Sequence, residues 1–144
     1  MSTLLVVDAS VATAWITRED ISPEARLLLT AGVELIAPDL IVAEVGNALW
    51  KAGRRGQVSN RQVLGAARML AGGLAVLHPT LDLLLAASEL ARELAHPIYD
   101  CFYLALALRE DAQVVTADGR MAALCGIRGI AVRLITPPQP SSSA

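Results

Sequence analysis

The sequence predicts an α/β fold: a three-layer α/β/α sandwich around a mainly parallel, five-stranded sheet. Three observations carry that reading. Leu4-Leu5-Val6-Val7 is apolar without alternation and half β-branched, the habit of a strand buried on both faces inside a parallel sheet. Four more short apolar segments follow, each separated from the last by helical sequence long enough for a parallel crossover. The first and fourth strands run out into aspartates, Asp8 and Asp118, at the rim where open α/β sheets collect ligands.

Each element has its own local reason. Asp8 ends the first strand with a charge, and a helix over Ser10–Ile16 follows with Ser10 as N-cap. Ser22-Pro23-Glu24 opens a second helix with a cap, a proline in the first turn and an acid beside it, and Gly32 closes it. Glu34–Ala37 is the second strand, and Pro38-Asp39 turns into a long helix from Asp39 to Arg55, with Asp39 as its cap. A fourth helix runs from Ser59-Asn60 to Gly72-Gly73. Leu74–Leu77 is the third strand, Thr80 caps a fifth helix, and His96-Pro97 stops it. A sixth helix covers Tyr99–Glu110, Gln113–Thr116 is the fourth strand, a short helix spans Arg120–Cys125, and Ile130–Leu134 is the fifth strand. Residues 1–135 thus make one domain. Residues 136–144, rich in proline and serine, read as a disordered tail.

At 144 residues the chain can bury one sizeable core. A hydrophobic share of 54% and a mean hydropathy of +0.50 exceed what one copy can hide, which favours a dimer or a dedicated partner. Charges interrupt every run before the ~18 apolar residues needed to cross a bilayer, so no membrane span is expected. No signal segment precedes the first strand, and the expected location is cytoplasmic. Twelve basic residues against fourteen acidic ones give a net charge of −2, which argues against broad, charge-driven binding to nucleic acid. A local basic rim remains open: Lys51, Arg54 and Arg55 cluster at one helix end, and Arg120 follows Asp118; solvated surface is the plain alternative for each. Cys101 and Cys125 sit in apolar helical patterns without a metal-binding spacing and read as reduced core residues. His78 and His96 each precede a proline and read as loop or cap residues. Glu19, Asp20 and Asp111 read as loop or helix-end acids.

The acids are the unusual feature. Glu44 lies on an otherwise apolar stripe with Leu40, Ile41 and Ala48, and Asp100 shares a stripe with Tyr103, Leu104 and Ala107. An acid on such a stripe is costly unless something at the rim neutralises it. At an effective dielectric of about 20, two like charges roughly 4 Å apart repel by about 4 kcal/mol. Asp8, Glu44, Asp100 and Asp118 around one pocket would multiply that repulsion, and no lysine or arginine is placed among them. Either some of these acids are protonated or a divalent cation sits between them. Oxygen ligands without histidine or cysteine suit Mg²⁺, with Mn²⁺ as substitute, and imply metal-assisted hydrolysis of a phosphate ester. Taken singly, Asp8, Asp100 and Asp118 are also what helix caps look like, and Glu44 what a solvent-facing residue looks like.

The chain resembles a known family. Val6-Val7-Asp8-Ala9-Ser10-Val11, Ala37-Pro38-Asp39-Leu40 through Glu44, Asn47-Ala48-Leu49-Trp50-Lys51, Tyr99-Asp100-Cys101-Phe102-Tyr103-Leu104-Ala105 and Val115-Thr116-Ala117-Asp118 are similar to the PIN domain of VapC-type toxins. The likeness runs to about Ile135. It implies a magnesium-dependent endoribonuclease, the toxin of a toxin–antitoxin pair, whose partner is a small VapB-like antitoxin. Asp8, Glu44, Asp100 and Asp118 match that family's acidic pocket, with Thr116 and Asn47 matching its supporting positions. Met121 departs, standing where relatives commonly carry an aromatic, which bears on packing or substrate contact. The implied reaction is in-line attack of water on an RNA phosphodiester, leaving a 5′-phosphate and a 3′-hydroxyl. In it Asp8 and Asp100 hold the metal with help from Glu44 and Asp118, and Lys51, Arg54, Arg55 and Arg120 hold RNA; Ser10 and Thr116 orient carboxylate or water, with ordinary turn hydroxyls as the plain alternative. No histidine is placed to act as general base.

Three competitors differ in kind. A receiver domain needs an aspartate after the third strand and a lysine after the fifth, where His78-Pro79 and Thr136-Pro137 stand. A phosphatase with an aspartate nucleophile needs an acid two residues on, where Ser10 stands. A catalytically inactive partner-binding module of the same fold would carry the same sheet and no cleavage.

Overall fold

The structure, a computed structural model, describes residues 3–56 and 58–139. Five strands form one wholly parallel sheet: β1 (Leu4–Val7), β2 (Glu34–Pro38), β3 (Val76–His78), β4 (Gln113–Thr116) and β5 (Val132–Leu134), in the order β3-β2-β1-β4-β5. Val6 of β1 lies opposite Ile36 on one side and Val114 on the other. Both neighbours are hydrogen-bonded, so β1 is central and its side chains from Leu5 onward are buried, which is why the strand shows no polar alternation.

The α-helices among the described residues are α1 (Ala9–Ala14), α2 (Ser22–Leu27), α3 (Leu40–Arg54), α4 (Asn60–Gly73), α5 (Thr80–Leu94), α6 (Ile98–Glu110) and α7 (Gly119–Arg128), and one 3₁₀ turn, Leu28–Thr30, follows α2. From β1 the chain steps outward through β2 to β3, then crosses back through α5 and α6 to β4 on the other side of β1. The strand order therefore reverses between β1 and β4. A crevice opens at their carboxyl ends, where Asp8 and Asp118 emerge. Helix α6 packs on β1, β2 and β4 with α5 against it, and Cys101–Ala107 are all buried. A helix apolar all round is one sandwiched on both sides, and that burial seats the Asp100 end of α6 at the crevice.

The two fold classes agree, with local differences. The expected "mainly parallel" sheet is parallel throughout the described residues. Ser10 does not cap α1: Asp8 holds the N-cap position, and the serine hydroxyl is engaged at the crevice. Ser22 lies inside α2 rather than before it, its hydroxyl accepting the Glu19 N–H and donating to the Thr17 carbonyl. Asp39 stands at the N-cap of α3 but gives its carboxylate to the Thr80 N–H, 3.0 Å away at the start of α5. That amide is thereby satisfied without Thr80 acting as a cap, and Pro79 takes the cap position. Strand β3 begins two residues late: the Leu74 N–H is still committed to Leu70 of the preceding helix, and the Ala75 N–H makes the first bond to β2, on the Leu35 carbonyl. Strand β5 is likewise shortened at its start, and α7 runs on to Arg128, where Gly129 takes the left-handed conformation that ends it. Ser59 and Gln62 form the reciprocal capping box of α4.

Cys101 and Cys125 are buried free thiols. Burial, with the Asp8 charge adding, pushes the Cys125 thiol up to about 11, and burial also raises Cys101, so neither is a thiolate at neutral pH. No helix among the described residues is long and apolar enough to cross a membrane. Of the tail, Thr136–Gln139 form no helix or strand, and residues 140–144 lie outside the described residues.

Ala95 ends α5 with φ 50° and ψ 49°, a conformation that crowds its Cβ. Ala95→Gly removes that crowding at some cost in unfolded-chain entropy, and a net stabilisation of about 0.5–1 kcal/mol is expected. Urea titration checks it; a loss of stability would show that the left-handed residue carries no strain.

Candidate active site

Asp8 is placed by the sheet itself. Its N–H donates to the Val115 carbonyl at 3.0 Å, extending the β1–β4 ladder by one residue beyond the strand. The residue is only 7% exposed. Oδ2 accepts two hydroxyl hydrogen bonds, from Ser10 at 2.8 Å and from Thr116 at 2.7 Å. Each hydroxyl oxygen in turn accepts a backbone amide, Ala117 N–H on Ser10 and Asp118 N–H on Thr116, both at 3.0 Å. Both hydroxyl protons are therefore committed to Asp8, and the 3.4 Å approach of Ser10 to Thr116 is proximity without a proton to share. The small circuit ties the end of β1 to the turn after β4. It also explains why hydroxyls, rather than any side chain of similar size, occupy positions 10 and 116.

Two more acids meet Asp8. Glu44, on α3, receives a 2.6 Å hydrogen bond at Oε1 from the Tyr103 hydroxyl of α6. Asp100, in the first turn of α6, pairs through Oδ2 with His96 Nε2 at 2.7 Å. Burial raises the Asp8 carboxyl above its usual value; the Thr116 and Ser10 hydroxyls pull it back and the Asp100 charge raises it again. Glu44 is raised by burial, lowered by the Tyr103 bond, and raised by the charges of Asp8 and Asp100. Tyr103 is fully buried and its phenol is pushed well above its ordinary range by burial and by all three acids, so it remains a donor. The Asp100 charge thus acts on both Asp8 and Glu44, and the Asp8 charge on Glu44. No lysine or arginine forms an ion pair with any of them among the described residues.

Asp118 is used differently. It caps α7, its Oδ1 accepting the Arg120 N–H at 2.9 Å, and it reaches the circuit through its own amide. Among the described residues no three His, Cys, Asp or Glu side chains stand close enough to enclose a metal ion by themselves. Such a donor set suits a cation that keeps most of its waters and takes one or two carboxylates, which is the habit of Mg²⁺. The side-chain hydrogen bonds on Asp8, Glu44 and Asp100 engage one oxygen of each, leaving a second carboxylate oxygen for a cation.

Beside the acids lies an open groove of about 830 Å³ whose wall includes Ser10, Glu44, Asn47, Lys51 and, from the segment after β5, Thr136 and Pro137. It continues past Lys51 toward Arg18, Arg55 and Gln62. Lys51 and Arg55 thus line a route leading away from Glu44, with Glu19 on the wall of both parts and Arg54 beside the two cations, stacked 5.1 Å over the Trp50 ring. Arg120 is exposed at the start of α7 and lines none of these hollows. Met121 is fully buried, so the position serves packing rather than substrate contact.

Two residues belong to the site that the sequence does not single out for it. His96, expected as a loop or cap residue, sits on Asp100. Its signal was the four-residue interval to Asp100 across a helix start. Tyr103 was visible as a member of the Asp100 stripe, but a tyrosine on a buried stripe needs a partner for its hydroxyl, and that partner came from a different helix. Tyr103→Phe strips Glu44 of the donor that lowers its pKa, so Glu44 holds its proton to higher pH. A loss of divalent-metal affinity of about tenfold is expected by calorimetry, with the fold intact.

A parallel sheet with acids gathered at its switch point, filled in from α3, α6 and the turn after β4, defines a fold class that sequence comparison names. The chain belongs to the PIN domain family, whose profile matches residues 5–127. Within it, the chain is similar to Ribonuclease VapC3 of Pyrobaculum aerophilum, 32% identical over 120 residues that cover 82% of this chain and 92% of that one. Solved structures share the fold. VapBC2 of Rickettsia felis, bound to a DNA fragment from its promoter, matches with a TM-score of 0.68 at 13% identity, over 93% of this chain and 100% of that one. VapC20 of Mycobacterium tuberculosis, a toxin that cleaves the sarcin–ricin loop, matches with a TM-score of 0.66 at 18% identity, over 93% and 99%.

Proposed function

We propose that this chain is a magnesium-dependent endoribonuclease and the toxin of a toxin–antitoxin pair. The observation that carries the reading is the mutual charge of Asp8, Glu44 and Asp100 at the switch point, with no lysine or arginine paired to any of them. Kinship with a VapC ribonuclease supports the choice of RNA. Asp8 and Asp100 would hold Mg²⁺, or Mn²⁺ in its place, with Glu44 and Asp118 at its margin. When bound, the metal supplies an activated water and a Lewis acid for a phosphoryl oxygen.

The protein's own groups do the rest. Ser10 and Thr116 fix the Asp8 carboxylate, and Tyr103 fixes Glu44. Asn47 and Lys51 face the groove where a backbone phosphate would approach. Lys51, Arg54, Arg55 and Arg120 offset the repulsion between acids and phosphates and hold the RNA on either side. Exposed apolar side chains fit a homodimer that also engages a small VapB-like antitoxin: Leu81 and Leu85 on α5, Trp50 and Val63 along the α3–α4 cleft.

Total RNA incubated with the purified protein, with and without Mg²⁺, tests the reading by mapping of new 5′ ends. Discrete, metal-dependent ends bearing 5′-phosphates are expected, and none with Asp8→Asn. A folded protein that cuts no RNA with Mg²⁺ or Mn²⁺ would leave the inactive partner-binding module in its place.

A further inference from the structure

We infer that His96 is a positioning residue that fixes the carboxylate of Asp100 for metal binding. The inference rests on the metal-site reading above and concerns a residue outside the acids themselves. His96 Nε2 stands 2.7 Å from Asp100 Oδ2, with side-chain exposures of 14% and 25%. The ring is not a surface group that happens to swing over an acid. Its backbone is held on both sides: the His96 N–H donates to the Ala91 carbonyl at 3.1 Å, closing the end of α5 around left-handed Ala95, and Pro97 follows as the N-cap of α6. Both dihedral neighbours are therefore constrained, and the imidazole is delivered across the first turn of α6 onto the acid four residues ahead.

The Nε2–H exists in the neutral ε tautomer and in the charged ring alike, so the hydrogen bond needs no particular protonation state. Binding one oxygen, it sets the plane of the carboxylate and leaves the other oxygen for a cation. It does for Asp100 what the Ser10 and Thr116 hydroxyls do for Asp8 and the Tyr103 phenol does for Glu44. All three acids are thus held by a donor that is not itself a ligand, and partners of that kind are worth roughly 10- to 100-fold in metal affinity.

The test is calorimetric titration of Mn²⁺ into the full chain and into His96→Gln, His96→Asn and Asp100→Asn, with melting curves in metal-free buffer to confirm folding. Glutamine carries an amide N–H at nearly the reach of Nε2, whereas asparagine falls short. His96→Asn is expected to bind Mn²⁺ at least about tenfold more weakly and His96→Gln within about threefold of the parent. A merely structural histidine would give equal affinities in all three. Equal affinity in His96→Asn and the parent, or equal losses for Asn and Gln, would overturn the inference. If Asp100→Asn also binds as the parent does, it is the metal site at Asp100 that has failed, not the role of His96 alone.

Discussion

Asp8→Asn is expected to abolish RNA cleavage while raising the melting temperature of the metal-free protein by a few degrees. The two effects have one cause. Asp8 is buried beside Asp100, and its pKa is raised chiefly by burial. A carboxyl whose folded pKa lies above its unfolded value binds more protons in the native state, so stability declines as pH rises between the two values. The penalty is fully incurred above the folded pKa and disappears below the unfolded one. Asparagine carries no charge to desolvate and accepts the Ser10 and Thr116 hydroxyls through its carbonyl, so it escapes that penalty at neutral pH. It is also a far poorer ligand for a hard cation. Loss of a partner around a ligand costs 10- to 100-fold, so loss of the ligand itself should cost about 100-fold or more. Melting curves from pH 4 to 8 separate the contributions: the gain in stability should shrink toward pH 4. A variant that cuts RNA at the parent rate would remove Asp8 from the site.

Thr116→Val is expected to destabilise the protein by about 2–3 kcal/mol at pH 7. Valine fills the same volume at a fully buried position, so no cavity forms and the loss is that of the hydroxyl. A hydrogen bond to a charged group is worth about 1.5–3 kcal/mol, and the Asp118 N–H loses its acceptor as well. The Thr116 bond lowers the Asp8 pKa. Its contribution is therefore present above the folded pKa of Asp8 and is lost as pH falls through it. In the Asp8→Asn background the same substitution should cost only about 1 kcal/mol, since a neutral acceptor gains less. Urea denaturation of the four proteins of that cycle gives the coupling directly. Equal costs in both backgrounds would mean that Thr116 stabilises the turn and not the acid.

Much of this was legible in the chain because each signal is local. The unbroken apolar run Leu4–Val7, half of it β-branched, reads as a strand buried on both faces, and Gln113–Thr116 carries a β-branched Val-Val-Thr of its own, so the two strands flanking the crevice were found at their observed bounds. The acids on the stripes of α3 and α6 were visible as misfits of polarity. What was not legible is partner choice across the fold. Ser10 and Asp39 carry every mark of helix caps, yet their side chains serve groups that the sheet brings near from positions 8, 117 and 80. The start of β3 was misplaced because Leu74 is apolar enough for a strand while its amide still belongs to α4. Tyr103 reads as core until Glu44 arrives from 59 residues away. Asp118 is the converse: capping chemistry is readable from its position and is what its carboxylate does, with Oδ1 on the Arg120 amide.

The central claim is that the charge crowded at Asp8, Glu44 and Asp100 is matched by a divalent cation. Thermal melting of the parent and of Asp8→Asn and Asp100→Asn, each with and without Mg²⁺, tests it most directly. At a concentration about 100 times its Kd, Mg²⁺ should stabilise the parent by about 2.7 kcal/mol and leave both variants nearly unmoved. Equal stabilisation of all three proteins, or none in the parent, would contradict the account.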